Sequence, residues 1–200
     1  MRFFQDTNFY FYVHNNPVNF VDSSGLQDLR PRNVPPGTGQ QYWQPIADGF
    51  SQALNRLNNT SCAELFGPCR EDVDRTGFNT LFQTQYRFVS LGQGSGYGAQ
   101  TVNVREVQIN SQGTYMTAWT GWITLPGGLR LFLGNITNIR AFVLLHELGH
   151  QLKGHTGFID DAADPNANLQ HSLLVLRMCF PEAMKPLLDL FNSFHGVSFH

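Results

Sequence analysis

Two hundred residues, 42% apolar and 13% aromatic, suffice for one domain with a real core and a short appendage, which excludes a wholly disordered chain. Thirteen scattered Lys and Arg against fifteen Asp and Glu give a net charge of −2, so no concentrated basic face exists to recruit nucleic acid or an anionic membrane. No apolar run approaches the roughly 18 residues of a membrane span, and Met1-Arg2-Phe3-Phe4-Gln5-Asp6 lacks the apolar stretch of a secretory signal, so secretion or surface display would depend on other parts of a larger polypeptide.

The first 26 residues differ from the rest. Asn8-Phe9-Tyr10-Phe11-Tyr12-Val13 is an aromatic β-type run, Asn15-Asn16-Pro17 a turn signal, Val18-Asn19-Phe20-Val21 a short strand and Asp22-Ser23-Ser24-Gly25 a second turn. Such a hairpin cannot bury its aromatic faces alone and is expected to be the edge of a larger β structure. From Asn8 to Leu26 the sequence resembles the end of the Rhs repeat-associated core, the β-cage shell of bacterial polymorphic toxins and related YD-repeat surface proteins. Asp22, Gly25 and Leu26 match the family's Asp-Pro-x-Gly-Leu signature, while Ser23 stands where proline is usual. The resemblance implies a chain delivered to the cell surface or secreted as part of a larger bacterial protein. It also implies an Rhs shell and a cognate immunity protein as partners, and a variable effector after Leu26.

Residues 27–41 contain Pro31, Pro35, Pro36, Gly37 and Gly39 with little to bury, so they read as a linker, and the second domain spans 42–200. Ile46, Phe50, Leu54 and Leu57 have the three-and-four spacing of an amphipathic helix. A helical turn is expected over 61–66 and another segment over 73–82. Residues 86–89 and 101–109 alternate with period two and read as two strands, and the glycines at 92, 94, 96 and 98 between them as a loop. Residues 119–125 and 129–133, split by Pro126-Gly127-Gly128, read as a hairpin or an edge strand. Cys62, Cys69 and Cys179 make no CxxC pair. They can be buried free thiols, Cys62 can close a loop with Cys69, or either can reach Cys179; among the disulfides Cys62–Cys179 is favoured.

Asn135, with Thr137 or Asn138, can cap a helix that then runs to Leu152 and contains His146-Glu147-Leu148-Gly149-His150. At 3.6 residues per turn His146 and His150 share a face, where two imidazoles can reach one Zn²⁺. Glu147 is rotated about 100° from His146, suited to meet a water carried by the metal and poorly placed as a ligand. Zinc acidifies such water and the carboxylate takes its proton, which makes Glu147 the catalytic base of peptide hydrolysis. A chance HExxH in a chain of this length is expected on the order of 1% of the time, so the motif carries the functional reading. Gly149 is expected to let another backbone approach the helix near the metal.

The HELGH helix and the strands before it resemble zincin peptidases, which implies an α+β fold with a small sheet, an active-site helix, C-terminal helices and a strand lying beside bound peptide. The stretch through Asp160-Asp161, Asp164, Gln170-His171-Ser172 and Met178-Cys179-Phe180 is similar to small metallopeptidase-like domains at the C-termini of Rhs-type proteins. Metzincins require HExxHxxGxxH, but Lys153 and Thr156 occupy the glycine and third-histidine positions. A glutamate-type site would leave only Glu182. The acidic cluster is therefore the expected source of the third ligand once Gly154 and Gly157 break the helix and Phe158 and Ile159 anchor its return. Asp161 is the favoured ligand, Asp160 the second choice and Asp164 the carboxylate that orients a ligand histidine. Tyr97, Tyr115 and His171 are candidates to stabilise an oxyanion. The residues from Leu169 to Leu176 and, after Pro181, from Met184 to Phe191 read as two packing helices.

The expected function is a zinc metallopeptidase acting on protein or peptide substrates as the effector of an Rhs-type toxin. The alternative is a degenerate, non-catalytic zinc-binding or structural terminal domain of a surface-displayed Rhs/YD-repeat protein. Limited proteolysis should cut first within residues 27–41 and leave a compact product from about Tyr42 onward; mass measurement checks this, and a compact product retaining residues 1–26 contradicts it.

Overall fold

In the computed structural model residues 40–67, 77–90, 98–118, 120–160 and 164–195 are described. The Rhs-like segment, residues 27–39 of the expected linker, Cys69, Tyr97 and Asp161 lie outside them. Helix α1 (Gln40–Leu57) takes in the last two residues of that linker. It buries Ile46, Phe50, Leu54 and Leu57, the stripe its spacing predicts, together with Ala53, and packs along α5 (Ile136–Gln151). At Gly49 a Cβ would stand 2.7 Å from the Arg140 Cβ and 2.8 Å from the Tyr115 hydroxyl. Only glycine lets the two helices approach this closely.

Asn135 caps α5, its side chain accepting from the Asn138 amide at 2.8 Å, as its sequence position predicts. Buried residues occupy nearly the whole circumference of α5, including Arg140, which is 8% exposed. A charge at that depth must be compensated. Arg140 donates through Nε to the Tyr115 carbonyl at 3.3 Å and pairs with Asp48 of α1 at 3.2 Å. Burial pushes the Tyr115 hydroxyl well above its ordinary pKa, so it stays protonated and donates to the Pro45 carbonyl at 3.0 Å.

Helices α2 (Thr60–Phe66) and α3 (Gly77–Gln83) follow α1, and residues 73–76 of the segment expected over 73–82 lie outside the described residues. A three-stranded sheet is ordered β1-β3-β2, with β1 (Gln85–Val89) parallel and β2 (Ala99–Asn103) antiparallel to β3 (Glu106–Asn110). The single strand expected over 101–109 is thus a hairpin. Asn103 accepts the Arg105 amide at 2.9 Å and turns the chain in two residues, a fold-back that alternation on both arms conceals. The ladder shifts register between Thr101 and Asn103, where Val102 is the extra residue of a bulge. A short helix α4 (Thr114–Thr117), without a sequence signal, leads to the expected hairpin of β4 (Trp122–Thr124) and β5 (Arg130–Phe132) around Pro126–Gly128.

After α5 a single turn, α6 (Lys153–Thr156), ends at Gly157, whose φ of +74° closes it in the left-handed conformation that favours glycine. Helices α7 (Pro165–Cys179) and α8 (Pro181–His195) finish the fold, divided where Pro181 would break a continuous helix. Cys62 of α2 is disulfide-bonded to Cys179 at the end of α7. Arg56 covers this corner. It stacks over Phe180 at 4.4 Å, donates to the Cys179 carbonyl at 3.1 Å and pairs with Glu182 at 2.6 Å. Among the described residues the architecture is α+β, and no helix is long and apolar enough to cross a membrane.

The cross-link spans 117 residues, a separation at which loop closure removes much entropy from the unfolded chain. The double variant Cys62→Ser, Cys179→Ser should lose about 2–5 kcal/mol of unfolding free energy, measured by urea denaturation against the oxidised parent.

Candidate metal and catalytic site

Helix α5 sets the two histidines one turn apart on one face, and their Nε2 atoms stand 3.3 Å apart. Two nitrogens each about 2.0–2.1 Å from a tetrahedral ion are separated by about 3.4 Å, so this pair already has the spacing of one edge of a zinc coordination tetrahedron. His146 is 7% exposed, and its other nitrogen, Nδ1, lies 3.3 Å from the Ser172 hydroxyl on α7. A ligand bound through Nε2 keeps its proton on Nδ1, and Ser172 is placed to accept it. An outer partner of this kind is what sets the tautomer and ring orientation of a metal-binding histidine.

Glu147 is buried on the flank of the same helix, facing β2. The Thr101 hydroxyl lies 2.8 Å from its Oε2 and 3.0 Å from its backbone carbonyl, so its single proton is offered to the carboxylate and the helix together. The sheet thereby holds Glu147 beside the two histidines. Sequence reading gave no role to Thr101; its only signal is a hydroxyl on a strand that packs against the motif helix.

Gly149 has a different reason from the one expected. What approaches it is a side chain, not a backbone: a Cβ there would collide with the Phe158 ring. Gly157 reverses the chain and Phe158, 2% exposed, folds back into the space that Gly149 leaves, while Thr156 donates to the Gly149 carbonyl at 2.7 Å. Ile159, expected to share this anchoring, is 59% exposed, because one ring fills the notch.

Phe158 in turn lies flat against His171 of α7, centroids 4.2 Å apart and planes 9° from parallel. His171 is buried and its ring centroid is 5.4 Å from that of His150 and 6.4 Å from that of His146, which are themselves 5.1 Å apart. Three imidazoles therefore gather on one side of α5. Among the described residues no three His, Cys, Asp or Glu are already closed into a metal-holding group. In the sequence His171 stands only among the oxyanion candidates; its only signal is a place in the polar run Gln170-His171-Ser172 between the leucines of a packing helix.

The acids are placed otherwise. Asp160 is exposed and Asp161 lies outside the described residues. Asp164 is the N-cap of α7, accepting from the amides of Asn166 and Ala167, and the group beside His146 Nδ1 is the Ser172 hydroxyl. Glu182 is engaged by Arg56. Tyr115 is fully buried with its hydroxyl on Pro45, which removes it as an oxyanion donor, and His155 is exposed, 3.4 Å from the Glu64 carbonyl. No family model, curated protein or solved structure matches the chain.

Thr101→Val keeps the shape of the side chain and removes its proton. It should lower stability by about 1–3 kcal/mol, as expected for a buried carboxylate losing a hydrogen bond, with little further loss when combined with Glu147→Leu. Thermal melts of the two single variants and the double variant check this.

Proposed function

We propose that this chain is a zincin-like zinc metallopeptidase, the C-terminal effector of an Rhs-type protein delivered to the cell surface or secreted. The observation that carries the reading is the pair of Nε2 atoms 3.3 Å apart with the buried Glu147 carboxylate on the adjoining residue. His146 and His150 would hold the ion. When bound, zinc supplies a Lewis acid that polarises the scissile carbonyl and acidifies water. Glu147 accepts the proton of the attacking water as its oxygen adds to the carbonyl carbon. The same carboxyl delivers that proton to the leaving nitrogen as the C–N bond breaks, giving an amine and a carboxylic acid, which then pass the second proton between them to leave an ammonium and a carboxylate. Thr101 holds Oε2 throughout, so the carboxylate does not swing out of reach.

A peptide substrate is supported by β2. Among the described residues it is an edge strand, paired only with β3, and it passes directly over Glu147 through Thr101. Its outer edge offers the backbone groups with which an extended peptide can pair. The Rhs shell and an immunity protein enter as partners through the resemblance of residues 8–26 alone.

Glu147 also separates catalysis from structural zinc binding, because a purely structural site gains nothing from a carboxylate beside an open coordination position. Glu147→Gln should retain zinc and lose hydrolysis of an unfolded protein substrate by roughly 100-fold or more, whereas His146→Ala and His150→Ala should lose the metal. Metal analysis alongside a protein-cleavage assay checks both; a Glu147→Gln variant as active as its parent sinks the peptidase mechanism.

A further inference from the structure

We infer that His171, not an acid among residues 160–164, is the third protein ligand of the metal. The inference rests on the reading of His146 and His150 as a zinc site, and adds to it the group that completes the ligand set. Three imidazoles on one tetrahedral ion have ring centroids about 5.2 Å apart, given metal–nitrogen distances of about 2.0–2.1 Å. Two of the three observed separations, 5.1 Å for His146 with His150 and 5.4 Å for His150 with His171, meet this value. The third, 6.4 Å for His146 with His171, exceeds it by about 1 Å, within the reach of a side-chain adjustment.

The surroundings of His171 favour the same role. It occupies the position before Ser172, so one stretch of α7 would contribute a ligand and also the hydroxyl beside His146 Nδ1. Its ring plane is set by Phe158, and Phe158 is set by the absent side chain of Gly149. The HELGH glycine thus reaches the third histidine through one aromatic ring. Chemistry agrees, since a neutral three-histidine set leaves a fourth position open and suits the borderline softness of zinc. By contrast, Asp160 is exposed and Asp164 caps a helix.

The test titrates the full chain with Zn²⁺ and with Co²⁺, reading affinity and the cobalt d–d spectrum, with circular dichroism to monitor folding. His171→Ala should bind at least about 100-fold more weakly, above the roughly 10–100-fold that outer partners cost, while Asp160→Ala and Asp161→Ala bind as the parent does. His171→Cys tests the contact even if the alanine variant misfolds: a direct ligand brings a sulfur-to-cobalt charge-transfer band, which a packing residue cannot. Parent affinity in His171→Ala, or a cysteine variant that binds cobalt with no such band, overturns the inference. So does loss of metal in Asp161→Ala with His171→Ala unaffected. In either case the zinc reading stands as long as the parent binds metal; a parent that binds none overturns both.

Discussion

Helix α5 has no side for solvent. Almost every residue from Ile139 to Gln151 is buried, including the arginine, the glutamate and the first histidine of its polar set. A helix of this kind is stable only when other elements cover it on all faces. α1 covers one face at the distance Gly49 permits, β2 meets the Glu147 flank, and α7 closes the side of His146. The order of the chain follows from this demand, since elements from both ends must converge on the middle.

The same enclosure sharpens the polar groups it traps. A buried glutamate and imidazole lose their water and must find protein partners, and each finds one on a different neighbour: Thr101 from the sheet, Ser172 from α7. Fixing these groups from two sides restricts their rotamers before any ligand arrives, which is the preorganisation a reactive site needs. Arg140 and Asp48 serve the far end of the helix in a similar way, tying α5 to α1 where no chemistry is expected.

Local features were legible in the sequence and returns of the chain were not. The stripe Ile46, Phe50, Leu54 and Leu57, the Asn135 cap, the Pro126–Gly128 turn and the break at Pro181 each depend on neighbouring residues, and each lies where the sequence puts it. The Cys62–Cys179 disulfide is the exception, a return of the chain that the cysteine count alone favoured among the possible pairings. The β2–β3 hairpin escaped because a two-residue turn leaves period-two alternation in phase on both arms. His146, Glu147 and His150 sit within five residues and need only helical geometry to meet. Thr101, Phe158, His171 and Ser172 reach them by tertiary packing, which no spacing rule encodes. Gly149 is the instructive case: a missing side chain was visible, but the ring that fills the gap comes from nine residues on, after a reversal at Gly157.

The bond between Cys62 and Cys179 turns the middle of the chain into a covalent ring. α3, the three-stranded sheet, the β4–β5 hairpin, α5 and His171 are all strung on that ring, whereas α1 and α8 hang outside it as tails. A ring and a line respond differently to a nick. One broken peptide bond anywhere between Cys62 and Cys179 opens the ring but releases no fragment, so both halves of the candidate site remain in one molecule and can re-form together. A single nick in this part of the chain therefore leaves its two sides joined, and they part only when a second bond, the disulfide or another peptide bond of the ring, is also broken.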